Sequence, residues 1–141
     1  VTMLGPPSHV TPLLRATRGD GLSDNCLATF EYPDALATIR SSLVEPHGDE
    51  RRHFTVSGEN GTIEILPLEP PKVHLTLQNA RNGFKAGDAE LPMPAAAGRY
   101  HDQLRQFAAI VRGEEQSRWS TEHDLAVHRA VLQASGLPLD T

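Results

Sequence analysis

The first half of the chain is dominated by short runs in which apolar and polar residues alternate. These runs are His9–Arg15, Cys26–Tyr32, Ala35–Leu43, His53–Ser57, Thr62–Ile65 and Val73–Leu77. A period of two predicts β-strands with one buried face and one polar face, and Pro12 places the first strand at a sheet edge or a bulge. Tight turns are predicted at Pro33-Asp34 and at Gly58-Glu59-Asn60-Gly61, because these segments join consecutive runs with turn-forming residues.

The last third of the chain changes to helical spacing. A first apolar stripe predicts a helix that ends at Gly113, and its members are Tyr100, Leu104, Phe107 and Val111. We expect Phe107 to pack between this helix and the buried sheet face. A second helix is predicted from Thr121 to Gly136, with an apolar side formed by Leu125, His128 and Leu132.

Strands followed by helices predict an α+β fold, with an open, mainly antiparallel sheet and helices on one face. The length of 141 residues predicts one domain that spans the whole chain, 1–141. The order contains no strand–helix–strand unit that could bind a nucleotide, so chemistry that needs one would draw on residues outside this chain. The segment Gln78–Gly98 has no strong period; we expect Ala89–Leu91 to add a short strand and the rest to be mobile or to reach another surface.

The polar face of the predicted sheet is made mostly of short side chains. Its members are Thr38, Arg40, Ser42, His53, Thr55, Ser57, Thr62, Glu64, His74 and Thr76. Two interpretations stay open at this point. The face is either a solvated surface or a flat surface for self-association, where Thr and Ser can pack without the cost of desolvating long charged side chains.

Composition argues against nucleic acid as a partner and indicates a cytoplasmic protein. The formal net charge of -5 argues against nucleic acid, because phosphate binding needs a surplus of Lys and Arg. The single cysteine, Cys26, cannot form an internal disulfide and is predicted to be a small buried apolar residue rather than a nucleophile. No apolar run approaches about 18 residues, so we expect a soluble cytoplasmic protein that does not bind a membrane. Because Val1 is not a natural start, we expect a fragment or a processed product.

Residue spacing alone does not assemble an active site. His123 and His128 are five apart on one predicted helix, which does not align them as metal ligands, so no metal site is expected. The turn at Gly58–Gly61 lies between two strands, whereas phosphate binding needs a Gly-rich turn before a helix. A Ser/His/Asp site could form in space, but nothing in the spacing supports one.

Two pairs of segments nevertheless resemble a known family. The first pair is Thr38–Ser42 (TIRSS) followed by Phe54–Ile65 (FTVSGENGTIEI), and the second is Tyr100–Gly113 (YHDQLRQFAAIVRG) followed by Asp124–Ser135. Together they resemble the C-terminal domain of the glucose–fructose oxidoreductase/inositol dehydrogenase (Gfo/Idh/MocA) family. Each motif is weak alone, whereas their order and spacing are more specific.

The resemblance implies a fold like the C-terminal domain of dihydrodipicolinate reductase, and a division of labour between two domains. In that family an N-terminal Rossmann domain binds NAD or NADP. The second domain shapes the substrate pocket and builds the oligomer through the open face of its sheet. The family's Gly-rich turn, Glu-Lys-Pro lysine and Asp/His pair have no counterpart in this chain, so we expect the chain alone to bind no cofactor and to be inactive.

The resemblance also suggests where the substrate binds. Tyr100 opens the first helix and is the main candidate for the substrate pocket, with core packing as the alternative; Arg40 and His101 are further candidates. The implied function is the substrate-binding and oligomerisation domain of an NAD(P)-dependent oxidoreductase that acts on a sugar, a polyol or a related alcohol. The alternative is a stand-alone α+β binding or interaction module without redox activity.

Overall fold

The computed structural model describes residues 1–94, 98 and 100–139. In chain order its elements are β1 (His9–Arg15), β2 (Asn25–Tyr32), β3 (Ala35–Ser42), α1 (Gly48–Arg51), β4 (Phe54–Gly58), β5 (Gly61–Leu68), β6 (Pro71–Leu77), β7 (Gly87–Leu91), α2 (His101–Val111) and α3 (Thr121–Ala134). The α+β fold with antiparallel sheets is confirmed. The strands are divided between two sheets, β1-β2-β3 and β4-β5-β6-β7, and do not form the single open sheet that the sequence predicted. Strand β7 contains the predicted extra strand Ala89–Leu91.

The chain forms two compact units. One unit contains residues 1–45 and the chain from Arg112 onward, and it therefore holds β1, β2, β3 and α3. The other contains residues 46–111, with the four-stranded sheet, α1 and α2.

The core of the first unit lies between its sheet and α3. Val10 pairs with Phe30, and Pro12 pairs with Ala28 in the antiparallel register of β1 and β2. Val10, Ala28 and Phe30 are buried together with Ala130 of α3. Because side chains alternate along each strand, Leu13 and the residues two positions away from it lie on the opposite face of the sheet.

Helix α3 begins at Thr121 as predicted, but it presents a different face to the sheet. Leu125 is 52% exposed and His128 is exposed, so the predicted apolar side is wrong. Ala130 and Ala134 pack on the core instead. Short alanine side chains let the helix axis approach the sheet closely, whereas a face of leucines would hold it farther away.

The four-stranded sheet is built by hairpins. Gly58 and Gly61 pair at the β4–β5 turn, as the sequence predicted. Between β6 and β7, Asn82 and Gly83 have φ values of 52° and 85°, and Arg81 and Phe84 exchange two backbone hydrogen bonds of 3.0 and 2.9 Å. Positive φ at both central residues is the geometry of a type I′ hairpin turn, for which Asn-Gly is a strong sequence signal.

Helix α2 lies where predicted, but its apolar stripe is exposed. Phe107 is 65% exposed, so the prediction that it packs against the buried sheet face is wrong. Ala109, two positions along, is 7% exposed and lies on a different side of the helix. The helical period correctly grouped the large apolar residues on one face, but the side of α2 that is buried carries the small residue.

Candidate functional site

An open depression lies on the face of the three-stranded sheet opposite the core. It has a volume of about 260 Å³ and is lined by Leu13, Arg15, Asn25, Cys26, Leu27 and Arg40. The strand register explains this grouping. Leu13, Leu27 and Arg40 form one cross-strand row, and Arg15 and Asn25 are paired in the neighbouring row.

Hydrogen bonds orient both arginines of the depression. Arg40 Nη1 donates to Glu45 Oε2 at 2.9 Å, although the Arg40 side chain is 61% exposed. Arg15 Nη1 donates to the Leu14 carbonyl oxygen at 2.8 Å. The guanidinium of Arg15 has no carboxylate within ion-pair distance among the residues that the structure describes. The depression therefore presents positive charge beside the Asn25 amide and two leucines.

A buried carboxylate fixes the loop between β1 and β2, next to this depression. The Asp24 carboxylate accepts hydrogen bonds from the Thr17 N–H at 3.0 Å, the Thr17 hydroxyl at 2.9 Å and the Arg18 N–H at 2.9 Å. The Arg18 guanidinium lies 3.3 Å away. Burial alone would raise the pKa of Asp24, but the Thr17 and Arg18 hydrogen bonds and the Arg18 charge together lower it below its usual value. Sequence reasoning missed Asp24, since one Asp in a turn-rich segment carries no special signal.

The other two predicted substrate-binding residues lie at the start of α2. Tyr100 is 60% exposed, which rules out core packing as its role. The His101 Nδ1 lies 3.3 Å from Arg105 Nη2, so the neutral ring would accept a hydrogen bond there and carry its proton on Nε2. These residues belong to the second unit, whereas Arg40 belongs to the first, and neither unit contains all three candidates.

The polar face of the four-stranded sheet consists of two cross-strand rows. One row contains Thr55, Glu64, His74 and Glu90, and the other contains Ser57, Thr62, Thr76 and Asp88. The Thr62 hydroxyl donates to Ser57 Oγ at 3.1 Å, and the Thr76 hydroxyl donates to Asp88 Oδ1 at 2.6 Å. The predicted polar face is thus divided: Thr38, Arg40 and Ser42 lie on the other sheet, and His53 directly precedes β4. Sequence reasoning did not include Asp88 and Glu90 in this face, because the segment Gln78–Gly98, in which β7 lies, has no strong period.

A hydroxyl, an imidazole and a carboxylate meet at the start of α3. The His123 Nε2 lies 3.2 Å from the Thr2 hydroxyl, and its Nδ1 lies 3.3 Å from Asp124 Oδ1. Trp119 stacks on the imidazole with ring centroids 4.3 Å apart. Ser120 caps the helix by accepting a hydrogen bond from the His123 N–H at 3.2 Å. These contacts tie residues near the N-terminus to α3, and sequence spacing could not show them because Thr2 and His123 are far apart in the chain.

The described residues offer neither a metal centre nor a cradle for a dinucleotide. Within residues 1–94, 98 and 100–139, no group of three or more His, Cys, Asp or Glu side chains is arranged to hold a metal ion. The Gly58–Gly61 turn joins β4 to β5, and the Gly19–Gly21 segment joins β1 to β2. Neither leads into a helix whose N-terminal N–H groups could bind a pyrophosphate. Cys26 is a free, half-buried thiol. Among the same residues no helix has the length and apolar character needed to cross a bilayer.

Comparison with known proteins gives a match at the level of structure. No protein-family model matches the chain, and no curated protein sequence matches it. The fold is similar to a solved structure from Bacillus subtilis, YvaA, described as a "putative oxidoreductase", with a TM-score of 0.63 and 17% sequence identity. The match covers 96% of this chain and 45% of that protein, so the chain spans less than half the length of YvaA. At this level of sequence identity, the similarity shows that the two proteins share a fold.

Proposed function

We propose that this chain is the substrate-binding and oligomerisation part of an NAD(P)-dependent oxidoreductase of the Gfo/Idh/MocA type, acting on a sugar, a polyol or a related alcohol. The observation that carries the proposal is the fold match, which covers 96% of this chain but only 45% of YvaA. The family motifs in the sequence point in the same direction.

The cofactor would be held by protein outside this chain. NAD or NADP needs a turn before a helix N-terminus for its pyrophosphate, and the glycine turns at Gly19–Gly21 and Gly58–Gly61 do not fit that need. This chain would supply contacts to the substrate. Tyr100 and His101 are exposed at the start of α2, and Arg40 lines the depression on the other sheet.

The chain would also supply the contact between subunits. The polar face of the four-stranded sheet offers short hydroxyl side chains at Thr55, Ser57, Thr62 and Thr76. A two-fold dimer would place equivalent patches against each other, and a stable pair would bury about 1,200–2,000 Å².

Two measurements test the proposal. The coding sequence upstream of Val1 is read, and the complete protein is assayed for NAD(P)H formation with a panel of sugars and polyols. We expect an upstream strand followed by Gly-x-Gly-x-x-Gly, and reduction of a cofactor by at least one alcohol. Titration calorimetry of the isolated chain with NAD and NADP should show no binding.

Two results would reject the proposal. A start codon close to Val1 would favour a stand-alone binding module. Micromolar affinity of the isolated chain for either cofactor would show that a dinucleotide site exists within it.

A further inference from the structure

We propose that the depression lined by Arg15 and Arg40 is a binding site for a small anion, a carboxylate or a phosphate group. This inference does not rest on the proposed oxidoreductase function. It rests on the side chains that the three-stranded sheet brings together on its outer face. Within the described part of the chain, the side chains that line the depression include two guanidinium groups and one amide but no carboxylate.

The register of β1, β2 and β3 brings the two arginines and Asn25 together on one face of the sheet. Arg15 lies on β1 and Arg40 on β3, and they flank the Leu27 and Asn25 positions of the central strand β2. A ligand between them would rest on the central strand with a cation on either side. Asn25 adds an amide that can donate a hydrogen bond to an anion.

Both guanidinium groups are held in ways that leave donors for a ligand. The hydrogen bond from Arg40 to Glu45 uses Nη1, and the bond from Arg15 to Leu14 also uses Nη1. A guanidinium has five N–H donors in a planar fork, and this geometry matches the oxygens of a carboxylate or a phosphate. Glu45 neutralises part of the charge of Arg40, so Arg15 supplies the excess positive charge. The adjacent carboxylate, Asp24, already has Thr17 and Arg18 as partners.

The size and walls of the depression restrict the ligand. A volume of about 260 Å³ is slightly smaller than the roughly 300–1,000 Å³ of typical small-molecule pockets, so the depression suits a small acid or the charged end of a larger molecule. Leu13 and Leu27 provide apolar surface for a short carbon chain. Because Arg40 is largely exposed and water screens such charges, we expect an affinity on the order of millimolar.

The test is an NMR titration of the whole 141-residue chain with inorganic phosphate and, separately, with acetate, at ionic strength held constant with NaCl. We expect saturable amide shifts centred on Asn25 and Leu27, including the side-chain amide of Asn25. Arg15→Gln and Arg40→Gln should each weaken binding by on the order of tenfold. Arg112→Gln is the matched control, because Arg112 is an exposed, ion-paired arginine outside the depression, and it should leave the affinity unchanged.

Each outcome decides the proposal. Tighter binding of phosphate than of acetate assigns a phosphorylated ligand, and the reverse order assigns a carboxylic acid. Shifts that do not saturate, that centre elsewhere or that survive both Gln substitutions overturn the site. If Arg40→Gln disturbs the fold because its hydrogen bond to Glu45 is lost, the result with Arg15→Gln decides alone. The Arg15 side chain donates a hydrogen bond to the carbonyl oxygen of its neighbour Leu14, so we expect its replacement to leave the fold intact.

Discussion

Gly136, which follows the C-cap residue Ser135 of α3, provides a test of how this helix packs on the three-stranded sheet. Its φ is +65°, in the left-handed region, and a Cβ added there would lie 2.9 Å from Leu14 Cδ1 of β1. Gly113 has nearly the same conformation, with φ of +75°, but an added Cβ would meet nothing within 4 Å. The two glycines therefore separate the cost of backbone strain from the cost of a tertiary contact.

The expected costs follow from these two environments. Gly113→Ala should lower the free energy of unfolding by about 1–2 kcal/mol, the cost of a left-handed alanine. Gly136→Ala should lower the free energy of unfolding by the same strain cost and by a further ~0.5–1.5 kcal/mol, because Leu14 must turn out of its preferred rotamer to make room. Since Leu14 Cδ1 is the end of a flexible side chain, we do not expect the larger cost of an overpacked rigid core.

The assay is urea unfolding of the parent, both alanine variants, Leu14→Ala and the double variant Leu14→Ala/Gly136→Ala. In the Leu14→Ala background, Gly136→Ala should cost no more than Gly113→Ala does in the parent. Equal costs for the two glycine variants in the parent would refute the contact between the end of α3 and β1. An extra cost that persists without Leu14 would refute it as well.

Three further outcomes are expected. Phe107→Ala should change the melting temperature by no more than about 2 °C, because an exposed side chain contributes about 0.5 kcal/mol or less, and a loss of several kcal/mol would show that this residue is buried. Thr55→Arg should weaken a dimer formed through the four-stranded sheet by placing like charges near the two-fold axis, and light scattering that shows an unchanged dimer would reject that surface. Asp24 has a lowered pKa when folded, so its stabilising contribution is present above the unfolded pKa of about 3.9 and is lost as the pH falls through the folded value. Asp24→Asn should thus destabilise the protein at pH 7, and urea unfolding should show that the difference from the parent narrows below pH 4; a constant difference would contradict the hydrogen-bonded carboxylate.

Local sequence signals predicted the strands well because each depends on residues close in the chain. The alternation of apolar and polar residues predicted β2, and the Gly58–Gly61 turn predicted the β4–β5 hairpin without any tertiary information. The same alternation could not show that the strands divide between two sheets. Each run has one apolar face in either arrangement, so the division depends on which strands pair.

The predicted helix faces failed for a related reason. Large apolar residues at helical spacing show which side chains share a side, but packing also depends on how closely the helix can approach its neighbour. In α3 the small residues Ala130 and Ala134 face the sheet, while Leu125 remains exposed. A rule that weighs only hydrophobicity selects the leucine, whereas close packing against Phe30 favours the alanine side.

The candidate sites show the same dependence on pairing. The family resemblance suggested Arg40 as a candidate, but Arg15 and Asn25 could not be grouped with it before the register of β1, β2 and β3 was known. The register of β1, β2 and β3 brings two cations to one face of the three-stranded sheet. In the four-stranded sheet, the register of β5, β6 and β7 places Glu64 and Glu90 on either side of His74. The sequence-based polar face treated Arg40 and Glu64 as members of one surface. Because the two residues lie on different sheets with different neighbouring charges, anion binding and self-association are separate properties that can be tested by separate substitutions.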